Sequence, residues 1–215
     1  MIEAVVFDLD GVLIQSEEVW DAVRARYVRD RRGRYDEVVQ RAMMGMSAPE
    51  WTRYLHEEAG VREDPEEINR EVVALMLEAY RSELPLLPGA VEAVRRAADA
   101  FPLGLASSSN REIFEAVLEL AGLTDCFRAT VSSEEVARGK PAPDVYLEAA
   151  RRLGVAPESC AAIEDSHAGI GAAKAAAMLV VAIPNPSFPP GDEALAQADV
   201  VLGSLEELTA GVFSS

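Results

Sequence analysis

The chain begins with a short apolar run that ends in acidic residues. Residues 2–10 read IEAVVFDLD, and an apolar run of this length before a glycine is typical of a buried strand. Residues 17–84 then follow a helical pattern, in which apolar positions recur every three or four residues and no convincing strand appears. Breaks containing Gly and Pro divide this block, which is therefore predicted to hold about four helices.

After residue 85 the pattern changes to strands and helices in alternation. The boundary is PLLPG at 85–89, and amphipathic helical segments separate the apolar runs that follow it. These runs are PLGLAS, FRATVS, CAAIED, MLVVAI and ADVVLGS. Alternation of this kind predicts an α/β fold, with a parallel sheet covered by helices on both faces. We therefore expect a core formed by residues 1–14 and 85–215, with an inserted all-helical cap domain at 15–84.

Composition and charge limit the kind of partner. The chain has 215 residues, of which 49% are apolar and 27% charged, and its formal net charge is −17. A protein this negative repels nucleic acid and anionic membrane surfaces, so we predict neither as a partner. No apolar run approaches the ~18 residues of a membrane span. A phosphate site on this chain would need a local source of positive charge.

The chain has only two cysteines and two lysines, so the role of each can be considered separately. Cys126 and Cys160 are far apart and lack metal-ligand spacing, so we expect two reduced, buried thiols in a cytoplasmic protein. The only lysines are Lys140 and Lys174. We expect a monomer or a weak homo-oligomer.

Polar side chains follow three of the predicted strands and precede one predicted helix. They are Asp8 and Asp10, the run Ser107, Ser108, Ser109 and Asn110, the pair Glu164 and Asp165, and Lys140. Parallel strands would bring these groups to one edge of the sheet, where open α/β sheets bind their ligands. Asp8 and Asp10 alone could simply turn the chain, because Asp-Gly is common in turns. Their combination with the other polar groups, in this order along the chain, favours a ligand-binding site over a simple turn.

The chemistry of this set points to a metal and a phosphate. Several carboxylates placed together repel one another unless a cation lies among them. Ligands that are all oxygen favour a hard cation such as Mg²⁺. An ammonium group and several hydroxyls beside them make a phosphate site plausible.

Four stretches resemble the signature motifs of haloacid dehalogenase-like hydrolases. They are DLDGVL at 8–13, the strand end at Ser107, GKPAPD at 139–144 and IEDSHAGI at 163–170. The resemblance covers nearly the whole chain and is closest to the phosphatase and beta-phosphoglucomutase-like branch. It implies a Rossmann-like core, a helical cap inserted after the first motif, and phosphoryl transfer with Mg²⁺.

The resemblance also implies a role for each candidate residue. Asp8 would be the nucleophile that forms an aspartyl phosphate, and Asp10 would be the general acid and then the general base. Ser107 and Lys140 would contact the transferring phosphoryl group. The remaining implied groups are substrate-binding Ser108 and Asn110, and the metal ligands Asp8, Asp10 through its backbone carbonyl, Asp165 and, as a direct or indirect contributor, Glu164.

Two features separate the branches of this family. Members that cleave carbon–halogen bonds do not need an acid at the position of Asp10, so its presence favours phosphoryl transfer. Related sugar-phosphate mutases commonly carry a histidine where this chain has Trp20, and basic residues in the cap loop where this chain has Met44, Met46 and Ala48. We therefore expect a phosphatase acting on a small phosphorylated metabolite, with a mutase as the alternative. A binding protein on the same fold is disfavoured, because it would not need so many charges together.

The cap is predicted to open and close over the site, with hinges at residues 14–17 and 82–88. Trp20 and Trp51 are interpreted mainly as cap packing. Arg41 and Arg53 are interpreted as exposed partners of the many glutamates rather than as substrate ligands.

Overall fold

The protein folds around one six-stranded parallel sheet. The structure, a computed structural model, describes residues 1–43, 46–186 and 188–213. The strands are β1 Ala4–Phe7, β2 Leu103–Ser107, β3 Phe127–Ser132, β4 Cys160–Glu164, β5 Leu179–Ala182 and β6 Val200–Val201. The helices within the described ranges are α1 Glu17–Asp30, α2 Glu37–Met43, α3 Ala48–Glu57, α4 Pro65–Ser82, α5 Ala90–Ala98, α6 Arg111–Leu120, α7 Asp144–Leu153, α8 His167–Ala175 and α9 Asp192–Leu195. The predicted α/β class is confirmed.

The strand order places the first strand in the middle of the sheet. The order is β3-β2-β1-β4-β5-β6, so that β1 pairs with β2 on one side and β4 on the other, both in parallel. The amide of Asp8 continues this ladder by donating to the carbonyl of Ile163 at 3.0 Å. Because all neighbours are parallel, the carboxyl ends of β1, β2 and β4 meet at one edge.

Alternate residues of each strand face two separate apolar layers, as the two-residue period of a strand requires. Val5 and Phe7 of β1 belong to the layer under α5 and α6, while Ala4 and Val6 belong to the layer under α7 and α8. All four of these side chains are fully buried. Helices on both faces explain why the strands read as continuous apolar runs rather than as alternating ones.

The four helices α1 to α4 lie between β1 and α5 in the chain, as the inserted block was predicted to do. Their buried residues join the same apolar cluster as the α5 and α6 face of the sheet, so the cap core and this part of the sheet core are continuous. The two connections to the block lie side by side, because the amide of Gln15 donates to the carbonyl of Pro85 at 2.8 Å. The domain division at 14/15 and 84/85, and hinge motion there, stay predictions.

Some details differ from the sequence-based expectations. A short helix that the sequence pattern did not predict, α9, lies between β5 and β6. Both cysteines are free as expected, but Cys126 is only half-buried while Cys160 is fully buried. Met44 lies outside the described residues. No helix among the described residues is both long enough and apolar enough to span a membrane.

Candidate active site

The carboxylate at the end of the central strand is paired with a buried ammonium group. Asp8 follows β1, and its Oδ1 lies 3.0 Å from the Nζ of Lys140, which is also 2.7 Å from the Oε1 of Glu164. The side chain of Lys140 is only 4% exposed. Lys140 therefore offers its charge to two carboxylates at once, and this fixes it beside the strand ends.

Glu164, the last residue of β4, has both carboxylate oxygens occupied by donors. Its Oε1 accepts from Lys140 and from the hydroxyl of Tyr146 at 2.6 Å. Its Oε2 accepts from the amides of Asp165 and Ser166 and from the Ser166 hydroxyl, at 3.1 to 3.3 Å. Its side chain is completely buried. A carboxylate held by this many donors suits the positioning of Lys140 better than the coordination of a metal.

Asp10 lies beyond a sharp change of direction at the end of β1. Gly11 has φ +80°, and a Cβ at this position would overlap the carboxylate of Asp165, so only glycine fits. The Oδ2 of Asp10 accepts from the hydroxyls of Ser109 at 2.7 Å and Ser107 at 3.3 Å. Its Oδ1 is buried and has no hydrogen-bond partner among the described residues. Asp10 is thus held through one oxygen, while the other has no partner in the described part of the chain.

The acidic groups fit a divalent cation. One oxygen each of Asp8, Glu164 and Asp165 lie within 4.8 Å of one another. The Oδ1 of Asp165 is buried, and within the described part of the chain it has no hydrogen-bond partner. An orphaned buried carboxylate oxygen is costly unless something binds it. A donor set made only of oxygen suits Mg²⁺.

Burial and mutual repulsion perturb these groups strongly. Burial raises the pKa of Asp8 to about 8, although the charge of Lys140 opposes the shift. Burial, helped by the charges of Glu164 and Asp8, raises the pKa of Asp165 to about 9. Burial alone would lower the pKa of Lys140, but Asp8 and Glu164 raise it above its usual value. The site thus lacks positive charge, which a bound cation would supply.

The polar run after β2 borders the same space. Ser108, Ser109 and Asn110 line the cavity above Asp8, while Ser107 is fully buried beneath them. The Nδ2 of Asn110 donates to the Oδ1 of Asn69 in α4 at 3.0 Å and to the Oε1 of Glu134 at 2.7 Å. Asn110 therefore connects the sheet edge to the cap, and it is already engaged in this structure.

Helices of the inserted block border the strand ends, and a cavity of about 370 Å³ lies between them. Asp8, Asp10, Lys140 and Asp165 line its floor. The cap contributes Glu17, Trp20, Arg24, Met43, Met46 and Trp51. The indoles were interpreted mainly as packing, and they are both buried and part of the cavity wall.

Three contributors to this site were missed at the sequence level. Ser109 was grouped with its neighbours and not singled out, although it makes the shorter bond to Asp10. Tyr146 matched the apolar face of an amphipathic helix. Arg24 was not distinguished from the many other arginines. A four-residue spacing from Trp20 on α1, which puts both on one helix face, is the signal that could have found Arg24.

Comparison with known proteins agrees with the geometry. Residues 2–177 match the family described as haloacid dehalogenase-like hydrolase. The chain is 36% identical to hexitol phosphatase B of Escherichia coli K12, over 97% of this chain and 95% of that protein. It is 32% identical to a phosphorylated carbohydrates phosphatase of Thermotoga maritima, over 81% and 82% of the two chains.

Solved structures give the same result. CbbY from Rhodobacter sphaeroides, in complex with phosphate, is similar with a TM-score of 0.89 and 27% identity, covering 100% of both chains. The beta-phosphoglucomutase of Clostridium difficile is similar with a TM-score of 0.78 and 28% identity, covering 100% of this chain and 96% of that one. By sequence, by fold and by the order of its motifs, the chain belongs to the haloacid dehalogenase-like hydrolases.

Proposed function

We propose that the protein is a Mg²⁺-dependent phosphomonoesterase acting on a small phosphorylated metabolite. The observation that carries the proposal is the grouping of Asp8, Lys140 and Asp165 at one sheet edge, where they line the same cavity or the acidic cluster beside it. Phosphatase relatives over nearly the full length of the chain support the reaction type. Cytoplasmic location and a monomeric or weakly associated state remain expectations.

Asp8 is the nucleophile in this proposal. Its carboxylate attacks phosphorus, the ester oxygen leaves, and an aspartyl phosphate forms. Lys140, 3.0 Å from the Oδ1 of Asp8, holds that carboxylate in place and opposes the charge of the approaching phosphoryl group. Ser107, Ser108 and the amides that follow β2 are proposed to contact the phosphoryl oxygens, with Asn110 at the border with the cap.

Asp10 is the general acid and then the general base in this proposal. Ser107 and Ser109 occupy its Oδ2. Its Oδ1, which has no partner among the described residues, is the atom proposed to give a proton to the leaving oxygen. The same atom then takes a proton from the water that attacks the phosphorus of the aspartyl phosphate. Closure of the cap keeps other water away until that step.

Asp8 and Asp165 are the proposed metal ligands, joined by the backbone carbonyl of Asp10. Mg²⁺, when bound, supplies the positive charge that the carboxylates and the phosphate together lack. Glu164 was expected to be a direct or indirect contributor, and we propose the indirect role, because its oxygens already accept from Lys140, Tyr146 and the chain that follows β4.

The test is hydrolysis of para-nitrophenyl phosphate and a panel of phosphorylated metabolites, with Mg²⁺ or with a chelator. Asp8→Asn should lower the rate by roughly 10³-fold or more. Asp99→Asn, at an exposed position outside the site, is the matched control and should keep full activity. Acid-quenched mass spectrometry should find a phosphoryl group on the peptide that contains Asp8.

Equal rates for wild type and Asp8→Asn, or no dependence on a divalent ion, would contradict the proposal. Isomerisation of a sugar phosphate faster than phosphate release would favour the mutase.

A further inference from the structure

A buried cation in the cap lines the same cavity as Asp8, and the described part of the chain records no ion pair or hydrogen bond for it. Arg24 lies on α1, is 9% exposed and lines the cavity. The carbon at the centre of its guanidinium lies 4.5 Å from the ring centroid of Trp20 and 4.8 Å from that of Trp51. Its Nε has no hydrogen-bond partner in the described part of the chain. A buried charge left unpaired in this way is destabilising.

Cap packing alone does not explain Arg24. Arg31, on the same helix, also lies over an aromatic ring, with its guanidinium 3.6 Å from the Tyr27 centroid. Arg31, however, is paired with Glu63 at 2.9 Å and with Glu71 at 2.6 Å. Arg31 is thus a satisfied structural arginine, whereas Arg24 lines the cavity and has no ion pair recorded among the described residues. An apolar side chain would fill the same space without the desolvation cost.

The charges around Arg24 restrict what it can bind. Glu17 lines the same cavity, and Asp10 and Asp21 also act on the guanidinium. Burial lowers the pKa of Arg24 to about 10, so it stays charged at neutral pH. One guanidinium among these carboxylates can offset one negative charge. A second phosphate dianion would be left largely uncompensated, whereas a carboxylate matches the guanidinium in charge and in its two parallel acceptors.

The size of the cavity agrees with a small ligand. Its volume of about 370 Å³ must hold the phosphoryl group at Asp8 and the rest of the molecule. This is near the lower end of the usual range for ligand sites, roughly 300–1,000 Å³. Glu17 also lines the cavity, and burial together with the charge of Asp10 raises the pKa of its carboxyl.

We propose that Arg24 is a specificity residue that binds a carboxylate on the leaving alcohol, so that the preferred substrates are phosphate esters of small hydroxy acids. This rests on the proposed phosphatase function. The carboxylate pairs with the N–H edge of the guanidinium, which is itself held over the two indoles, and the phosphate lies at Asp8. A second phosphate in place of the carboxylate gives no advantage.

The test uses a pair of substrates that differ only in the group in question. In 3-phosphoglycerate a carboxylate stands where glycerol 3-phosphate has a neutral hydroxymethyl group. Wild type should favour 3-phosphoglycerate in kcat/KM by about tenfold or more, which corresponds to ~1.4 kcal/mol. Arg24→Met should reduce this ratio about tenfold, mainly through KM, and Arg24→Lys should restore part of it. Arg41→Met removes an exposed cap arginine, whose one ion pair among the described residues is with Glu37 at 3.7 Å, and should leave rate and ratio unchanged.

Direct binding separates this inference from the proposed function. The two tryptophans of the chain both lie against Arg24, so intrinsic fluorescence reports on this part of the cavity. We expect 3-phosphoglycerate to bind Asp8→Asn protein more tightly than glycerol 3-phosphate does, and Arg24→Met in that background to remove the difference. Thermal melts show whether each variant is folded, and Arg24→Lys retains the charge if Arg24→Met is unstable.

The outcomes are distinct. Suppose that Arg24→Met and Arg24→Lys still hydrolyse para-nitrophenyl phosphate and keep the wild-type ratio of kcat/KM for 3-phosphoglycerate over glycerol 3-phosphate. That result overturns the inference about Arg24 but not the proposed phosphatase function. A preference for fructose 1,6-bisphosphate over fructose 6-phosphate that depends on Arg24 also overturns the inference. Arg24-dependent binding of 3-phosphoglycerate without any turnover supports the carboxylate site and overturns the phosphatase.

Discussion

Tyr146→Phe tests whether Glu164 serves to position Lys140. The hydroxyl of Tyr146, on α7, donates to the Oε1 of Glu164 at 2.6 Å, and both residues are fully buried. The same Oε1 is 2.7 Å from the Nζ of Lys140, which in turn holds Asp8. Removing one hydroxyl therefore perturbs the nucleophile through two intermediate residues, without touching the substrate.

The magnitude follows from the contacts that are lost and kept. A hydrogen bond to a charged group contributes about 1.5–3 kcal/mol, so we expect a loss of ~2 kcal/mol in the free energy of unfolding. For a domain of this size that corresponds to a fall in Tm of roughly 4–8 °C. The ring remains, with its centroid 5.0 Å from the Nζ of Lys140, so the contact between ring and ammonium is kept. We expect kcat to fall about 3- to 10-fold with KM little changed, because Lys140 is less firmly held.

The measurements are thermal unfolding and steady-state kinetics with para-nitrophenyl phosphate. Tyr54→Phe is the matched control, because Tyr54 is a half-buried cap tyrosine for which the structure records no hydroxyl hydrogen bond within the described ranges. It should change Tm by less than about 2 °C. If Tyr146→Phe behaves like Tyr54→Phe in both assays, Glu164 and Tyr146 do not position Lys140.

Two further predictions concern the metal and the close packing around Glu164. Because burial raises the pKa of Asp8 to about 8 and that of Asp165 to about 9, these carboxyls favour folding when protonated; metal-free protein should therefore lose stability as pH rises from about 4 to 9. Mg²⁺ must displace those protons at low pH, so its stabilisation of the protein should increase between pH 6 and pH 9. Gly169→Ala should cost more than about 3 kcal/mol or prevent folding, because a Cβ there overlaps the Glu164 carboxylate.

These two predictions have clear controls. A larger Mg²⁺-induced rise in Tm at pH 6 than at pH 9 would contradict the pKa argument. Gly171→Ala adds a methyl group to the same helix, where the nearest atom is the Cβ of Pro141 at 3.9 Å, an ordinary contact. Equal stability of the Gly169 and Gly171 variants would show that the Glu164 carboxylate can move aside at little cost.

Much of the fold could be predicted because its pattern is local. The apolar runs that became β1 to β6 and the helical periodicities between them are visible in short windows of sequence. The four-residue helix α9 was missed, since it is too short to show a helical period. The continuity of the cap core with the α5 and α6 face was also beyond the sequence, because it depends on how the elements dock.

The residues of the candidate site also fall into a group that the sequence could predict and a group that it could not. The proximity of Asp8, Lys140 and Asp165 could be predicted from the sequence, because strand ends in a parallel sheet meet at one edge. Arg24 and Tyr146 could not, because their positions depend on which helix face meets the strand ends. In the sequence, Arg24 belongs to a polar helix and Tyr146 to an amphipathic one, and neither local pattern is unusual. Which residues they contact is seen only in the folded structure.

The charge balance at the strand ends ties cation binding to phosphate binding. Four carboxylates, those of Asp8, Asp10, Glu164 and Asp165, lie near one another at the strand ends beside the ammonium of Lys140, in a protein whose net charge is already −17. Lys140 is already shared between two of them, so its charge cannot by itself admit a phosphoryl dianion. The raised pKa values of Asp8 and Asp165 express the same deficit, because the site prefers to hold protons when no cation is present. A divalent cation and a phosphate ester should therefore bind with positive coupling, since each supplies the charge that the other needs.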